Sequence, residues 1–207
     1  MDAKPQKAGL RERNKQQKYE RIKQAAWELF REKGFEATTT REIAERAEVG
    51  NGTLFLYVTD KYQLLQVVFG DALDRKTEAI FENFPDGDSL LDELMMIFGQ
   101  LFDLYAQEMS LAREFIKELY RGEVRATYTS TSTVEFIRRL AGRIERAQAR
   151  GQIAPGSDTF QAAGNFFALY FFALMLWLGG WVDSPATRDA RLRSALELQI
   201  RGLLGQD

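Results

Sequence analysis

Apolar residues recur along nearly the whole chain at the three- and four-residue spacing of helices, and nowhere at the alternation of a strand. From Tyr19 to Lys33, Ile22, Ala25, Ala26, Leu29 and Phe30 share one face, and the run stops at Gly34, a residue suited to follow a helix end. Thr39 with Glu42 three residues on has capping-box spacing, and Ile43, Ala44 and Ala47 then mark a helix of about two turns. Glu48-Val49-Gly50 breaks the pattern, and a second short helix follows from Asn51 to about Tyr57. Val49, Leu54 and Val58 pack it on the first, while the small Ala44 and Ala47 let the two axes come close. This pair reads as a helix-turn-helix, whose second helix suits the width of a DNA major groove.

A fourth helix, capped by Asp60 or Thr59, starts at Lys61 and runs through Leu64, Leu65, Val68 and Leu73 toward Phe81, long enough to link a small domain to the rest. Phe84-Pro85-Asp86-Gly87 reads as a turn. Leu91, Leu94, Met95, Phe98, Leu101, Phe102 and Tyr105 repeat the helical rule for two full cycles. Further helices are expected from Leu111 to Tyr120, from Val124 to Arg150, from Asp158 to about Trp181, and from Ala186 to Leu204. The fold class is all-α. The expected division is a basic, unstructured arm over 1–18, a helix-turn-helix domain over 19–66, and a larger helical domain over 67–207. Lys7, Arg11, Arg13 and Lys15 of the arm are either solvated or add contacts to phosphates or the minor groove.

Composition narrows the chemistry. The chain has 207 residues, no Cys and no His, so thiolate and imidazole ligands, and the commonest general base, are absent. An enzyme would have to work through a carboxylate, Lys or Tyr site, for instance with Glu114, Glu118 and Glu123, and no phosphate loop or metal spacing supports it. Formal net charge is −2 overall but +3 over residues 1–61, so any DNA contact must be local to one face. Ala162 to Val182 holds no charge over 21 residues, enough for a membrane span. Gly164, Asn165 and Gly179-Gly180 within it, and the lack of close basic flanks, favour a helix buried on both sides instead.

The pattern Thr-Thr-x-x-x-Ile-Ala-x-x-Ala-x-Val-x-x-Gly-Thr-Leu-aromatic-x-Tyr-x-x-x-Lys-x-x-Leu, ending at Leu64, resembles the DNA-binding domain of the tetracycline-repressor (TetR) family of bacterial regulators. The resemblance covers roughly residues 16–66. Glu48 stands where the family usually has Gly, Gly50 where Ser is common, Val58 where Phe is common, and Phe55 where Tyr is usual. It implies a ligand-responsive DNA-binding regulator, in most cases a repressor, with no cofactor and in the cytoplasm. Thr39, Thr40, Arg41, Asn51, Thr53, Phe55, Leu56, Tyr57 and Lys61 are then the DNA-contacting candidates: Arg41 for guanine or phosphate, Asn51 for adenine, Phe55 or Leu56 for a thymine methyl, and Thr40, Thr53, Tyr57 and Lys61 for phosphates.

The resemblance also implies a small-molecule site in the C-terminal helices and a homodimer whose last two helices pair across a two-fold axis. Candidate lining residues are Phe98, Phe102, Tyr105, Phe115, Tyr120, Phe166, Phe167, Tyr170 and Phe171, which point to an apolar or amphipathic effector. The lack of Lys and Arg between Lys76 and Arg113 speaks against a strongly anionic one. Leu169, Leu176, Leu192, Leu196 and Leu203 are the candidate dimer contacts. The competing reading is a helical interaction protein without DNA binding.

Overall fold

The computed structural model describes residues 5–82, 84–85, 89–119 and 127–204, with backbone only for 5–10, 119 and 127–130. Its helices are α1 Pro5–Lys33, α2 Thr40–Arg46, α3 Asn51–Leu54, α4 Lys61–Glu82, α5 Leu90–Gln107, α6 Met109–Leu119, α7 Thr127–Ala149, α8 Thr159–Leu178 and α9 Pro185–Leu203. No strand occurs among the described residues. The expected turn at Phe84-Pro85-Asp86-Gly87 lies partly outside the described residues.

The chain divides into two compact units: Met1–Ala72 with Ser110–Val124, and Leu73–Met109 with Arg125–Asp207. The described residues 110–119 thus belong with the N-terminal unit, which a cut of the chain into consecutive pieces does not anticipate. In this first unit Ile22, Ala26, Phe30, Ile43, Leu54, Leu64 and Phe69 are fully buried. Phe69 is the hub on α4, meeting Trp27 of α1 edge-on at 6.3 Å and stacking on Phe115 of α6 at 4.7 Å. Gly34 follows α1 at φ +87°, the left-handed conformation that favours glycine. The Thr38 hydroxyl donates to the Gly34 and Leu29 carbonyls, closing that helix end.

The expectation of an unstructured arm over 1–18 differs from what is described, because α1 is helical from Pro5. Proline suits the first position of a helix, and Leu10 through Lys18 are, save Asn14, good helix formers. Residues 11–18 are exposed on every side, so propensity and continuity with the packed half of α1 sustain them rather than burial. The second short helix also ends earlier than Tyr57. Beyond Leu54 the bonds shorten to i−3, Leu56 N to Thr53 O and Tyr57 N to Leu54 O, so the chain tightens into turns.

In the second unit α7 packs on α8, α8 on α9, and α5 on α7 and α9. Ser89, Asp158 and Ser184 cap α5, α8 and α9 through their side-chain oxygens. A buried ion network ties α5 to the end of α7: the wholly buried Glu93 accepts from Arg143 at 2.9 Å and Arg150 at 2.8 Å, and Arg143 also donates to the Pro85 carbonyl. Among the described residues α8 is the one helix long and apolar enough to cross a membrane. Ala162, Ala163, Phe166, Tyr170, Leu174 and Trp177 of α8 are buried within the unit, while Phe172 is 63% exposed.

Candidate nucleic-acid interface

The helix-turn-helix is held by short-range chemistry. Thr39 and Glu42 form the full capping box: Glu42 N donates to the Thr39 hydroxyl, and Thr39 N donates to the Glu42 carboxylate. Lys33 also bonds that carboxylate, and these contacts, Lys33 first, hold its pKa at about 2. Thr39 is therefore committed to the fold of α2, with its hydroxyl donating to Glu42 as well.

Glu48 makes the α2–α3 turn at φ +54°, the single described non-glycine residue with positive φ. The backbone thus keeps the turn for which the TetR pattern supplies Gly, and tolerates a side chain there. That side chain reaches out to accept from Arg21 of α1 at 3.1 Å. Val49 N then bonds Ala44 O at 2.9 Å, and α3 starts without a side-chain cap at Gly50.

The candidate DNA-contacting residues of this element differ in exposure. Arg41 is exposed and pairs loosely with Glu45 one turn on. Thr40 and Thr53 are half-buried, Asn51 is exposed, and Phe55 and Leu56 are 46% and 81% exposed. Leu54 and Val58 beside them are buried, so α3 is pinned from behind while two large apolar side chains face out. Tyr57 is half-buried because its ring stacks on Tyr19 of α1, centroids 5.7 Å apart and 9° from parallel.

Lys61 differs from expectation. Its ammonium donates to three backbone carbonyls, of Phe35 at 2.8 Å, Thr38 at 3.1 Å and Glu36 at 3.3 Å, and sits 4.3 Å over the Phe35 ring. It closes the loop between α1 and α2, so its geometry is that of a structural clamp and not of a free phosphate contact.

The aromatic candidates of the C-terminal part separate. Phe98, Phe102, Phe136, Phe167, Tyr170, Phe171 and Trp177 form one continuous cluster in the second unit, with Phe98 and Tyr170 stacked at 4.6 Å. Phe166 is fully buried and Tyr105 nearly so. Phe115 stands apart, in the first unit against Phe69. Tyr120 lies outside the described residues. The periodicity missed Arg188, which is buried on the cluster with its guanidinium 3.8 Å from the Phe102 ring centroid and 4.3 Å from that of Trp177. It also bonds the adjacent Asp189. Burial pushes the Tyr170 hydroxyl well above its ordinary pKa, with Tyr105 and Arg188 as its polar neighbours, and that hydroxyl lacks a well-formed hydrogen bond. A partly polar pole inside an apolar cluster suits an amphipathic guest.

The candidate dimer contacts need correction. Leu192 and Leu196 are wholly buried in the chain's own core, so they hold α9 to its unit. Leu169, Leu176 and Leu203 are half-buried. Large apolar residues that face out here include Phe160 and Phe172 on α8, Trp181 between α8 and α9, and Leu198 on α9, the last 72% exposed.

Residues 22–68 match the family described as bacterial regulatory proteins, tetR family. These residues are a DNA-binding domain of the TetR family. The chain is a DNA-binding transcriptional regulator. It is 24% identical over 192 residues to the fatty acid metabolism regulator protein of Bacillus subtilis (strain 168), covering 92% of this chain and 98% of that one. It is 29% identical over 187 residues to the HTH-type transcriptional repressor KstR of Rhodococcus jostii (strain RHA1), covering 89% and 82%. Among solved structures it is similar to Thermus thermophilus FadR, a TetR-family repressor in complex with lauroyl-CoA, with a TM-score of 0.70, 25% identity, and 91% and 96% of the two chains covered. These TetR relatives are regulators.

Proposed function

We propose that this chain is a TetR-family repressor that binds a near-palindromic operator as a homodimer in the cytoplasm and leaves it when a long-chain acyl-CoA thioester is bound. The observation that carries the DNA half of this reading is the outward pair Phe55 and Leu56, flanked by Asn51, Thr53 and Arg41 on an element pinned by buried Leu54 and Val58. Such apolar exposure at a turn has no stabilising role in the free protein, and thymine methyls in a major groove give it one. Two-fold symmetry of the dimer is mirrored in the operator. The outward Phe172 and Leu198 support pairing through α8 and α9, since burying them stabilises by about 25 cal/mol for each Å² of apolar surface removed from water.

The effector class rests on the relatives' names together with the aromatic cluster, where the acyl chain has apolar walls and its carbonyl has the Tyr170 hydroxyl as a donor. The reading involves no catalytic step. The test is fluorescence anisotropy on the duplex upstream of the chain's own coding region and of adjacent genes. Tight, sequence-selective binding reversed by dodecanoyl- to octadecanoyl-CoA, and not by CoA alone, supports the reading. Binding that ignores sequence, or acyl-CoA that leaves the complex intact at saturation, refutes it.

A further inference from the structure

Residues 11–18 of α1 are exposed on every side, yet their charges keep the helical period of the packed half. Arg11, Lys15 and Lys18 fall at i, i+4 and i+7, on the same face that further along carries the buried Ile22, Ala25, Ala26 and Leu29. The inner face of α1 is therefore apolar where it lies on the first unit and cationic where it runs past it. All three cations are exposed, and among the described residues their one ion pair is a long 3.9 Å contact between Lys15 and Glu12. From 11 to 18 the sequence RERNKQQK holds no apolar residue, so this face offers nothing to an apolar protein groove. A polyanion is the partner that fits.

The position of the stripe is fixed by two contacts at its root. Tyr19, the next residue after Lys18, stacks on Tyr57 at the end of the recognition element, and Arg21 bonds Glu48 in the α2–α3 turn. The cationic stripe thus begins at the edge of the DNA-facing surface and continues outward from it. From Arg11 to Lys18 is seven residues, about 10 Å along a helix axis, or about three phosphates of one strand at their 3.4 Å spacing. We propose that α1 before Tyr19 is a helical outrigger whose Arg11, Lys15 and Lys18 lie on backbone phosphates outside the half-site read by α3, lengthening the footprint without reading sequence. The inference rests on the DNA-binding reading above and adds to it which face of the extension is used, and for what.

Anisotropy titrations over a range of salt concentrations test it. They use two duplexes, the core operator alone and the same operator with ten further base pairs on each side, with the full chain and an Arg11→Gln, Lys15→Gln, Lys18→Gln variant. The full chain is expected to bind the longer duplex more tightly and with a steeper salt dependence. The triple variant should lose that advantage, its log K against log salt slope falling by about 2.7 per protomer at 0.9 per lost contact. A variant keeping the charges, Arg11→Lys, Lys15→Arg, Lys18→Arg, should retain it, and all three proteins should share one thermal melting curve. Equal slopes for the full chain and the triple variant on the longer duplex overturn the inference while leaving the DNA-binding reading intact. Failure of the full chain to select the core operator overturns both.

Discussion

Lys61 separates two roles that a sequence motif cannot. As a phosphate contact, its loss would weaken every duplex about equally and leave the free protein untouched. As built, its ammonium makes three charge-assisted hydrogen bonds to the carbonyls of Phe35, Glu36 and Thr38, and covers the Phe35 ring. Replacing it with Met keeps most of the stem and removes the donors. A hydrogen bond to a charged group is worth about 1.5–3 kcal/mol net, and these carbonyls lie near enough to the surface for water to replace part of the loss. The expected cost is therefore about 2 kcal/mol, which for a chain of this length lowers Tm by roughly 4–8 °C. The measurement is a thermal melt by circular dichroism on Lys61→Met without DNA, paired with the salt dependence of operator binding. The structure predicts a lower Tm and an unchanged slope. An unchanged Tm with a slope reduced by about 0.9 per protomer refutes the clamp and restores the phosphate contact.

Three further outcomes follow from the same geometry. Glu48→Gly and Glu48→Ala both lose the exposed Arg21 pair, but glycine alone relieves the φ of +54°; with about 1–2 kcal/mol of relief against 0.5–1 of glycine entropy, the Gly variant should be the more stable by about 0.5–1 kcal/mol in urea melts, and equality would show that the turn is unstrained. Because the folded pKa of Glu42 is about 2, below the usual 4.5, the stability it adds is complete above pH 4.5 and lost as pH falls toward 2. Lys33→Met, which removes the first cause of that shift, should flatten the acid limb of a stability–pH profile, and an identical limb in both proteins contradicts the assignment. Phe172→Glu should give a folded monomer in light scattering with operator affinity lost, whereas Leu196→Glu, striking a residue buried in the core, should unfold the second unit; a Phe172→Glu dimer would remove α8 from the interface.

The helix-turn-helix was legible because what defines it is local. The capping box spans three residues, the contacts between α2 and α3 fall on adjacent turns, and the small alanines announce the close approach. Where the sequence misled, the deciding partner was distant. The acceptors that turn Lys61 inward lie 23 to 26 residues away, and the ring that claims Phe115 for the first unit is on α4. Helix α9 shows another limit. Periodicity finds an apolar row at Leu192 and Leu196 but does not say whether the row meets the chain's own core or a partner, and the outward residue, Leu198, sits off that row. The helicity of residues 11–18 was invisible to apolar periodicity because it is sustained by propensity without burial. The absence of cations between Lys76 and Arg113 describes one stretch of the second unit and not the whole of it, since α7 and α9 carry arginines, Arg188 among them.

The central claim is linkage between an acyl-CoA site in the second unit and the operator. Linkage is reciprocal, so the factor by which saturating hexadecanoyl-CoA weakens operator binding must equal the factor by which operator weakens hexadecanoyl-CoA binding. Titration calorimetry of hexadecanoyl-CoA into the free protein and into the operator complex measures the second factor directly. The account predicts a lower affinity in the complex, by the same factor, on the order of ten, by which anisotropy shows operator binding to weaken. Equal affinities for free and operator-bound protein would contradict it.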